Sequence, residues 1–411
     1  MAKRKNVENE NVETDDVFAK LKKATGAHTL DTAGKVSYFI DTGNLALNYM
    51  CSGRFATGGI PGGRITEVFG PPATSKSLLG YCCLASCQRM GGITVLLDCE
   101  RAGNAEFAEK AAHLNPSRLI TYEPISIEEV EKQILAATKH IRSFYSKDVP
   151  ILFVWDSITV SPTEREWNET KLPENATAAQ IKAVGLERPG ERAKACGELL
   201  RKITPFIDEN NATIYIINQI RSKIGVMFGS PETTGGGGMG LPFMASCRLR
   251  TSIGKNIENK NGLPLGVNLK FANKKSRNCA PGMKTEGVQL FFESGINPLG
   301  GLLSILVAIG RVDGVKGNYV VKGEYTLDGN PITFKSSAVR NDVPYDLLLS
   351  CPKLIDLATT EDVVNYFKHH IPAIELATGG AIVEKTINDD GDSIDDDTEE
   401  VPTPDFIEEL S

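Results

Sequence analysis

The stretch RITEVFGPPATSKS, residues 64–77, decides the fold of this chain. Its first part, residues 64–69, is short and contains β-branched residues, and it ends at a Gly-Pro-Pro break. A helix-length apolar segment, residues 77–90, follows it. The loop between the two, residues 70–77, nearly matches the G-x-x-x-x-G-K-[ST] pattern of a phosphate-binding loop. This strand–loop–helix order predicts an α/β domain that binds phosphate.

The loop supplies three kinds of group that hold a triphosphate. Its backbone N–H groups and the helix N-terminus create positive potential, and Lys76 adds a full charge for the β- and γ-phosphates. Ser77 offers a hydroxyl to Mg²⁺. Ser75 stands where the pattern has glycine, and if this position needs a positive φ, its Cβ costs about 1–2 kcal/mol. The predicted phosphate-binding residues are Gly70, Pro71, Pro72, Ala73, Thr74, Ser75, Lys76 and Ser77.

Apolar runs of strand length alternate with segments of helical spacing downstream of the loop. The runs at 93–97, 151–155 and 213–217 are almost continuously apolar, as in strands buried on both faces. Helical spacing occupies 106–114, 127–144 and 192–207. This alternation predicts a parallel sheet covered by helices. Three later runs arrive without long helices between them and are expected to extend the sheet in an antiparallel manner: 245–251, 266–272 and 288–292.

Carboxylates follow two of the buried strands. Asp156 ends the run ILFVWD, where a carboxylate can hold the water shell of Mg²⁺. Glu100 comes directly after the run VLLDC, where it can orient or deprotonate an attacking water. Each residue alone also fits a helix cap or a solvated strand end. Together with the phosphate loop, the two strand ends favour a nucleoside-triphosphate hydrolase.

A second loop, residues 222–238, is long and rich in glycine. It follows a strand that ends in polar residues, and it combines basic residues with an apolar wedge at 226–228. Such a loop is either functional or a flexible linker. Basic groups and backbone amides that meet phosphates, with apolar groups that contact bases, suit single-stranded nucleic acid.

The charge of the chain is unevenly distributed. The net charge over 411 residues is −7, but residues 389–409 contain eleven acids and no base, so the remainder carries +4. The acidic run is expected to be disordered, because it repels itself and has little apolar surface to bury. It is either a solubilising tail or a segment that competes with a polyanion for a basic groove or docks a partner. Phe406, Ile407 and Leu410 favour docking.

Composition excludes several classes of protein. Hydrophobic residues make up 41% of the chain, so it is neither wholly disordered nor collagenous. No apolar run approaches the roughly 20 residues that span a bilayer, and the N-terminus has no apolar region typical of a secretory signal. We therefore expect a cytoplasmic protein. The nine cysteines fit neither a disulfide framework nor a zinc site, and we expect reduced thiols.

With these motifs in place, the sequence closely resembles the bacterial RecA recombinase family. The run INQIRSKIGVMFGSPETTGGG, residues 217–237, is similar to the second DNA-binding loop of that family almost residue for residue. Similarity extends from about Phe18 to about Leu349 and is clear in DTGNL at 41–45, GGRITE at 62–67 and GIN at 295–297. The departures, Ser75 among them, are typical of a divergent or phage-encoded member.

The resemblance implies roles for individual residues. Glu100 matches the catalytic glutamate, Asp156 the Mg²⁺-associated aspartate, and Gln219 the glutamine that senses the γ-phosphate. Phe107 falls where the family stacks an aromatic ring on adenine, and Asn104 where a polar residue contacts the base edge. Lys275 and Arg277 match two basic residues that reach the ATP of a neighbouring subunit. The implied catalytic residues are Glu100, Lys76, Gln219, Lys275 and Arg277.

The resemblance also implies DNA contacts on a helix and on the second loop. These are Lys194, Arg201, Arg221, Ser222, Lys223, Gly225, Met227, Phe228, Gly235, Gly236 and Gly237. The first DNA-binding loop departs from the family pattern. Between Ser161 and Arg192 the chain is longer, and Glu164, Glu166 and Glu169 stand where basic residues are expected.

The implied fold is a RecA-like α/β P-loop core with a mostly parallel central sheet, an N-terminal helical segment and a small α/β C-terminal domain. We expect a disordered N-terminus at 1–15, an oligomerisation segment at 16–45, an ATPase core at 46–297, a C-terminal domain at 298–370 and a disordered acidic tail at 371–411. The implied cofactors are ATP and Mg²⁺. The implied partners are single-stranded DNA, homologous double-stranded DNA, further copies of the chain in a helical filament, and single-stranded DNA-binding or loader proteins at the tail.

Two other functions share part of this pattern. A ring-shaped RecA-fold helicase has the phosphate loop and Asp156 but does not need the wedge at Met227 and Phe228 or the pair Lys275 and Arg277. A coat or mediator protein binds ATP and single-stranded DNA without turnover, if Ser75 has abolished hydrolysis. The predicted function is a DNA-dependent ATPase that catalyses homologous pairing and strand exchange.

Overall fold

The computed structural model describes residues 14–27, 34–169, 171–172, 190–222, 232–235, 238–315, 317–325, 329–336 and 342–378. Several sequence predictions lie outside these residues. They concern most of the predicted disordered N-terminus at 1–15, the acidic run at 389–409, and the loop residues Lys223, Gly225, Met227, Phe228, Gly236 and Gly237.

Helices and strands alternate through most of the described chain. The helices are α1 (Thr14–Thr25), α2 (Leu45–Ser52), α3 (Lys76–Arg89), α4 (Ala105–Ala112), α5 (Ile127–Phe144), α6 (Glu164–Glu169), α7 (Glu191–Asn210), α8 (Gly240–Met244), α9 (Leu302–Ala308), α10 (Tyr345–Ser350), α11 (Thr360–Phe367) and α12 (Ile371–Thr378). The strands are β1 (Phe39–Ile40), β2 (Ile60–Pro61), β3 (Ile65–Gly70), β4 (Ile93–Asp98), β5 (Leu119–Tyr122), β6 (Ile151–Asp156), β7 (Ala212–Ser222), β8 (Glu232–Thr234), β9 (Cys247–Glu258), β10 (Pro264–Ser276), β11 (Lys284–Phe291), β12 (Gly295–Ile296), β13 (Val312–Val315), β14 (Asn318–Tyr325) and β15 (Pro331–Lys335).

One large sheet organises the core. Its strand order is β12-β11-β10-β9-β3-β7-β6-β4-β5, and β8 pairs with the end of β7. The strands from β9 to β5 are parallel, whereas β10, β11 and β12 continue the sheet in an antiparallel manner. The predicted α/β fold with a mostly parallel sheet is confirmed.

Strand β9 differs from the sequence prediction. It was expected to extend the sheet in an antiparallel manner, but it runs parallel to β3, with Thr66 opposite Cys247. Helix α8 precedes it, and the Ser246 N–H donates to the Ile65 carbonyl at 2.8 Å. The chain therefore re-enters the sheet at the end where β3 begins, and the antiparallel part starts only with β10.

The two faces of the sheet bury two separate apolar layers. Side chains of a strand alternate between faces, and in β6 the side chains of Leu152 and Val154 join one cluster whereas Phe153 and Trp155 join the other. Helices α5 and α7 cover the second face, and α2 and α3 pack on the first. Because every strand residue from 151 to 155 is buried, the apolar run correctly predicted a strand covered on both sides.

The N-terminal helix α1 presents apolar side chains to solvent. Val17, Phe18 and Leu21 are 43%, 60% and 51% exposed. Leu21 follows Val17 by four residues and Phe18 by three, and residues at these spacings are neighbours on a helix surface. Helix α1 therefore carries an apolar face that this protomer does not cover.

The C-terminal module combines α9, the antiparallel sheet β13-β14-β15 and helices α10 to α12. Residues 371–378, which the sequence predicts to belong to the acidic tail, form α12. Its Ala373 and Ala377 pack against Phe291 of β11. All nine cysteines are free thiols. Among the described residues, no helix combines the length and the apolar character needed to cross a membrane.

Candidate nucleotide-binding site

The register of the parallel strands gathers the predicted chemical groups at one edge of the sheet. Asp98 at the end of β4 lies opposite Asp156 at the end of β6, and Gly70 at the end of β3 lies opposite Gln219 of β7. Parallel strands bring their carboxyl ends to the same edge, which is where open α/β sheets bind ligands.

Two threonine hydroxyls hold the phosphate loop by donating hydrogen bonds to its backbone carbonyls. The Thr74 hydroxyl donates to the Pro71 carbonyl at 2.9 Å, and the Thr251 hydroxyl of β9 donates to the Thr74 carbonyl at 3.1 Å. A Cβ on Gly70 would lie 2.3 Å from the Thr251 carbonyl oxygen. Glycine is therefore required at position 70 by the close approach of β9.

Ser75 adopts the backbone conformation that glycine would adopt. Its φ and ψ are 60° and 27°, and it caps α3 without a side-chain hydrogen bond. Ala73 also has a positive φ, of 56°. A Cβ in the left-handed region costs about 1–2 kcal/mol per residue, so the loop holds two non-glycine residues in an unfavourable conformation.

Lys76 is a buried cation inside the loop. Its side-chain Nζ donates to the Pro71 carbonyl at 2.6 Å and lies 3.4 Å from Thr74 Oγ1. Burial lowers the pKa of Lys76, and the nearby carboxylates Asp156 and Glu100 oppose that shift. A buried ammonium is stabilised by negative charge, so an anion that enters the loop would take the place of the carbonyl partner.

Ser77 and Asp156 place a hydroxyl and a carboxylate side by side, as two possible ligands for a metal ion. The Ser77 hydroxyl donates to Asp156 Oδ2 at 2.6 Å. Burial raises the pKa of Asp156 to about 6; the Ser77 bond and the Lys76 charge oppose the shift, and Glu100 and Asp98 add to it. Hydroxyl and carboxylate oxygens are ligands that suit Mg²⁺, which usually keeps several waters. Within the described residues, no group of three or more His, Cys, Asp or Glu side chains could hold a metal ion on its own.

Glu100 is held between the ends of two strands. The Ser157 hydroxyl donates to Glu100 Oε1 at 2.7 Å, and Gln219 Nε2 lies 3.4 Å from the same oxygen. The Cys99 and Glu100 N–H groups both donate to the Asp156 carbonyl, at 2.7 and 3.2 Å. The structure thus brings Glu100, Gln219 and Asp156 together at this edge of the sheet.

Asn104 and Phe107 begin helix α4 on the outer side of this edge. Asn104 Oδ1 accepts the Phe107 N–H at 2.9 Å and caps the helix, and the Phe107 ring is 38% exposed. Asp98 shapes the preceding turn by accepting the Ala102 and Gly103 N–H groups at 3.3 and 2.9 Å. Both residues lie near the sheet edge, but the Asn104 oxygen is already engaged as a helix cap.

Lys275 and Arg277 lie at the other end of the sheet. Lys275 pairs in register with Arg248, which follows the residue opposite Thr66 near the start of β3. Lys275 Nζ donates to the Pro242 and Phe243 carbonyls at 2.9 and 2.6 Å, and Arg277 donates to the Phe243 carbonyl at 3.2 Å. About 13 Å of strand separates Thr66 from Gly70. The structure therefore does not bring the two cations to the phosphate loop of their own protomer.

Strand β7 leads from the nucleotide edge into the base of the second loop. Residues 220–222 pair with 232–234 in an antiparallel hairpin, and the Gly235 N–H donates to the Gln219 carbonyl at 2.6 Å. Arg221 and Ser222 belong to this hairpin. Lys194 and Arg201 are exposed on α7, and Lys194 lies 4.0 Å from Glu198.

The acidic residues of the longer 161–192 region are partly neutralised. Arg192 pairs with Glu166 and Arg165 pairs with Glu191, both at 2.9 Å. Arg192 also donates to the Thr159 carbonyl at 3.3 Å. These pairs join α6 to the start of α7, so at least Glu166 has a structural partner.

Sequence reasoning missed the polar groups behind this edge, namely Ser157, Thr159, Asn218 and Glu67. Asn218 Nδ2 donates to Glu67 at 2.8 Å, and both residues are fully buried. One signal was present in the sequence: Glu67 is a charged residue in the middle of the predicted strand at 64–69, and the structure buries every residue of β3.

Comparison with known proteins agrees with this geometry. Residues 20–297 match the family model "RecA N-terminal domain". A protein named Protein RecA from Chlorobaculum tepidum is 32% identical over 273 residues, which cover 66% of this chain and 71% of the relative. A second, from Methylobacterium sp., is 29% identical over 304 residues, covering 73% and 76%. A third, from Mesomycoplasma hyopneumoniae, is 30% identical over 320 residues, covering 75% and 87%.

Proposed function

Because the chain belongs to the RecA family, we propose that it is an ATP-dependent recombination protein that polymerises on single-stranded DNA. It pairs that strand with homologous duplex DNA and hydrolyses ATP in response to DNA. The observation that carries the proposal is the convergence of Lys76, the Ser77–Asp156 pair, Glu100 and Gln219 at one sheet edge, directly beside the hairpin that begins the second loop.

Residues of the phosphate loop bind the triphosphate. The amides of the loop and the first turn of α3 face the phosphates, and Lys76 exchanges the Pro71 carbonyl for a phosphate oxygen. Ser77 and Asp156 would hold Mg²⁺, which when bound would neutralise charge on the triphosphate. Phe107 offers its exposed ring to the adenine. The hydroxyl of Tyr215 fixes the start of α3 by donating to the Lys76 carbonyl at 2.9 Å.

Glu100 orients the attacking water and accepts its proton. Ser157 holds one carboxylate oxygen at 2.7 Å and so sets the direction of the other. Gln219 lies between Glu100 and the hairpin, with its side chain toward the carboxylate and its backbone carbonyl bonded to Gly235. Movement of Gln219 toward a γ-phosphate therefore also moves the base of the second loop, which grips the single strand.

Lys275 and Arg277 complete the site of a neighbouring protomer. They cannot reach the phosphate loop of their own chain, so only a second copy can bring them to the triphosphate. A contact between two different edges of identical chains is heterologous and generates an open helical filament if it does not close into a ring. The apolar face of α1 packs on the next protomer in the same assembly. Hydrolysis then depends on assembly, as with an arginine finger supplied in trans.

Base pairing reads the sequence of the incoming duplex, so the protein needs no base-specific contacts. The exposed residues Lys194 and Arg201, with the second loop, contact the single strand. The acidic tail screens the DNA-binding groove or docks single-stranded DNA-binding or loader proteins. We place the protein in the cytoplasm.

Steady-state ATP hydrolysis with single-stranded DNA titrated in, together with electron microscopy, tests this function. We expect DNA to stimulate hydrolysis, ATP and DNA together to give filaments, and a Lys76→Ala variant to lose turnover. Closed rings would favour a helicase. Filaments with no stimulated hydrolysis would favour a coat or mediator protein.

A further inference from the structure

Glu67 is a carboxylate buried in the middle of the central sheet. It lies on β3, with β7 on one side and β9 on the other, and its side chain is 0% exposed. A buried charge is tolerated only when it is paired and hydrogen-bonded. Glu67 has a partner on each neighbouring strand: Asn218 Nδ2 at 2.8 Å on β7, and an ion pair with Arg248 Nε on β9.

The Arg248 side of this arrangement faces the edge that carries the proposed trans cations. Arg248 pairs in register with Lys275, and its guanidinium stacks 4.7 Å from the centre of the Phe69 ring. The pKa of Lys275 is lowered by burial and by the charges of Arg277 and Arg248, whereas Glu67 opposes the shift. Glu67 is therefore the negative charge that offsets a group of cations at this edge.

The Asn218 side reaches the nucleotide edge. Asn218 Oδ1 accepts the Thr159 hydroxyl at 2.9 Å and the Gln219 N–H at 3.0 Å, and Thr159 Oγ1 also accepts that N–H at 3.0 Å. The orientation of the Asn218 amide is set by Glu67, because the carboxylate accepts its N–H₂ group. The backbone of Gln219 is thus held by a set of hydrogen bonds that begins at Glu67.

We propose that Glu67 is a positioning residue that couples the edge carrying Lys275 to the nucleotide edge, through Arg248 on one side and through Asn218 and Gln219 on the other. This inference rests on the proposed function. A displacement of Arg248 when a neighbouring protomer engages Lys275 changes the charge environment of Glu67, and the hydrogen bond from Asn218 transmits the change to Gln219.

The decisive variant is Glu67→Gln in the full-length protein. Glutamine keeps an oxygen that accepts from Asn218 but loses the charge that faces Arg248. The measured quantity is the ratio of single-stranded DNA affinities with and without ATP. We expect this ratio to fall by roughly tenfold, as for coupling free energies between sites in other proteins. The affinity of DNA-free protein for ATP should stay within about twofold, because the phosphate loop is untouched; a merely structural role would weaken both.

Glu67→Gln alone could fail to fold, which the loss of a cooperative unfolding transition would show. A second variant keeps the test decisive in that case. Glu67→Gln combined with Arg248→Gln leaves neither charge buried alone, so folding is expected to recover while the affinity ratio stays low. Asp356→Asn is the matched control. It makes the same change at the Arg311–Asp356 pair, which lies in the C-terminal module and has a 2.7 Å contact. The control should leave the affinity ratio at the wild-type value.

The outcomes separate the two proposals. A wild-type ratio well above one, with the same ratio in Glu67→Gln, would overturn the positioning role and leave the proposed function standing. A wild-type protein whose single-stranded DNA affinity does not respond to ATP would overturn the proposed function, and the positioning role would fall with it.

Discussion

The Ser77 hydroxyl donates a 2.6 Å hydrogen bond to Asp156 Oδ2, and this bond ties the first turn of α3 to the end of β6. Two segments that are 79 residues apart in the chain thereby meet at one polar contact. The carboxylate is held near the sheet edge although burial raises its pKa to about 6. This combination of a costly buried charge and a fixed geometry is typical of functional sites.

Asp156→Asn should stabilise the ligand-free protein at neutral pH. A carboxyl with a raised pKa contributes to stability below its unfolded pKa, and that contribution is lost as the pH rises from about 4 to 6. Asparagine cannot ionise, so the variant should gain up to about 3 kcal/mol over the wild type at pH 7 and only a small part of that at pH 4. Urea unfolding at both values checks this, and ATP hydrolysis should be lost. An equal gain at both pH values would contradict the expectation.

Ser75→Gly should stabilise the phosphate loop. The backbone at Ser75 is left-handed, where a Cβ is unfavourable, so glycine should raise the free energy of unfolding by about 1 kcal/mol. Ala136→Gly on α5 is the control, since glycine inside an ordinary helix should lower stability by about 1 kcal/mol. Urea denaturation of the three proteins measures both effects. Destabilisation by Ser75→Gly would show that the serine side chain stabilises the loop in another way.

Glu100→Gln should separate binding from turnover. The amide keeps the bond from Ser157 but cannot accept a proton, so hydrolysis should slow by roughly 10²–10⁴-fold. ATP-dependent binding of single-stranded DNA should persist, because Lys76 and Ser77 are unchanged. Steady-state hydrolysis and fluorescence anisotropy with a labelled oligonucleotide measure the two properties. Full turnover in this variant would exclude Glu100 as the base.

Mixing two inactive variants should restore activity if Lys275 acts in trans. Lys275→Ala keeps Glu100, and Glu100→Gln keeps Lys275, so an interface with the right partner on each side is complete. In a random one-to-one filament, about a quarter of heterologous interfaces have this arrangement. The mixture should therefore recover up to about that share of wild-type hydrolysis. A mixture as inactive as its components would refute the trans arrangement.

Removal of the chain after Lys385 should strengthen binding to duplex DNA at low salt. The segment removed contains the eleven acids of residues 389–409, and their repulsion of a polyanion is screened as salt rises. Duplex affinity of the two proteins should differ at low ionic strength and converge at high ionic strength. Equal affinity at low salt would exclude a screening role for the tail.

Much of the fold followed from short patterns. The apolar run at 151–155 predicted a strand buried on both faces, and the strand–loop–helix order placed Lys76 at the start of α3. The spacing of apolar residues along a strand shows which of its faces are buried, because successive side chains point to opposite faces. The direction of β9 depends on where α8 returns the chain to the sheet, and the local sequence pattern does not predict that position.

The candidate site was predictable in its parts and less so in its arrangement. The carboxylates and Gln219 were found because parallel strand ends share an edge. The partners Ser157 and Thr159 have no sequence signal, since a hydroxyl beside a strand end is common and its partner depends on register. Asn104 was expected to contact a base, and its use as a cap of α4 emerges only from the backbone geometry.

Strand β7 runs without interruption from Ala212 to Ser222. Its residues up to Gln219 pair with β3 or β6, whereas Ile220 to Ser222, as far as the structure describes the chain, pair with the short β8 alone. Amide hydrogens before Gln219 should therefore exchange with deuterium only through global unfolding, and those after it through local opening. The border between slowly and rapidly exchanging amides therefore falls at Gln219, whose side chain faces Glu100. Bound nucleotide should slow the exchange of the amides that follow Gln219, and the border should then move toward the second loop.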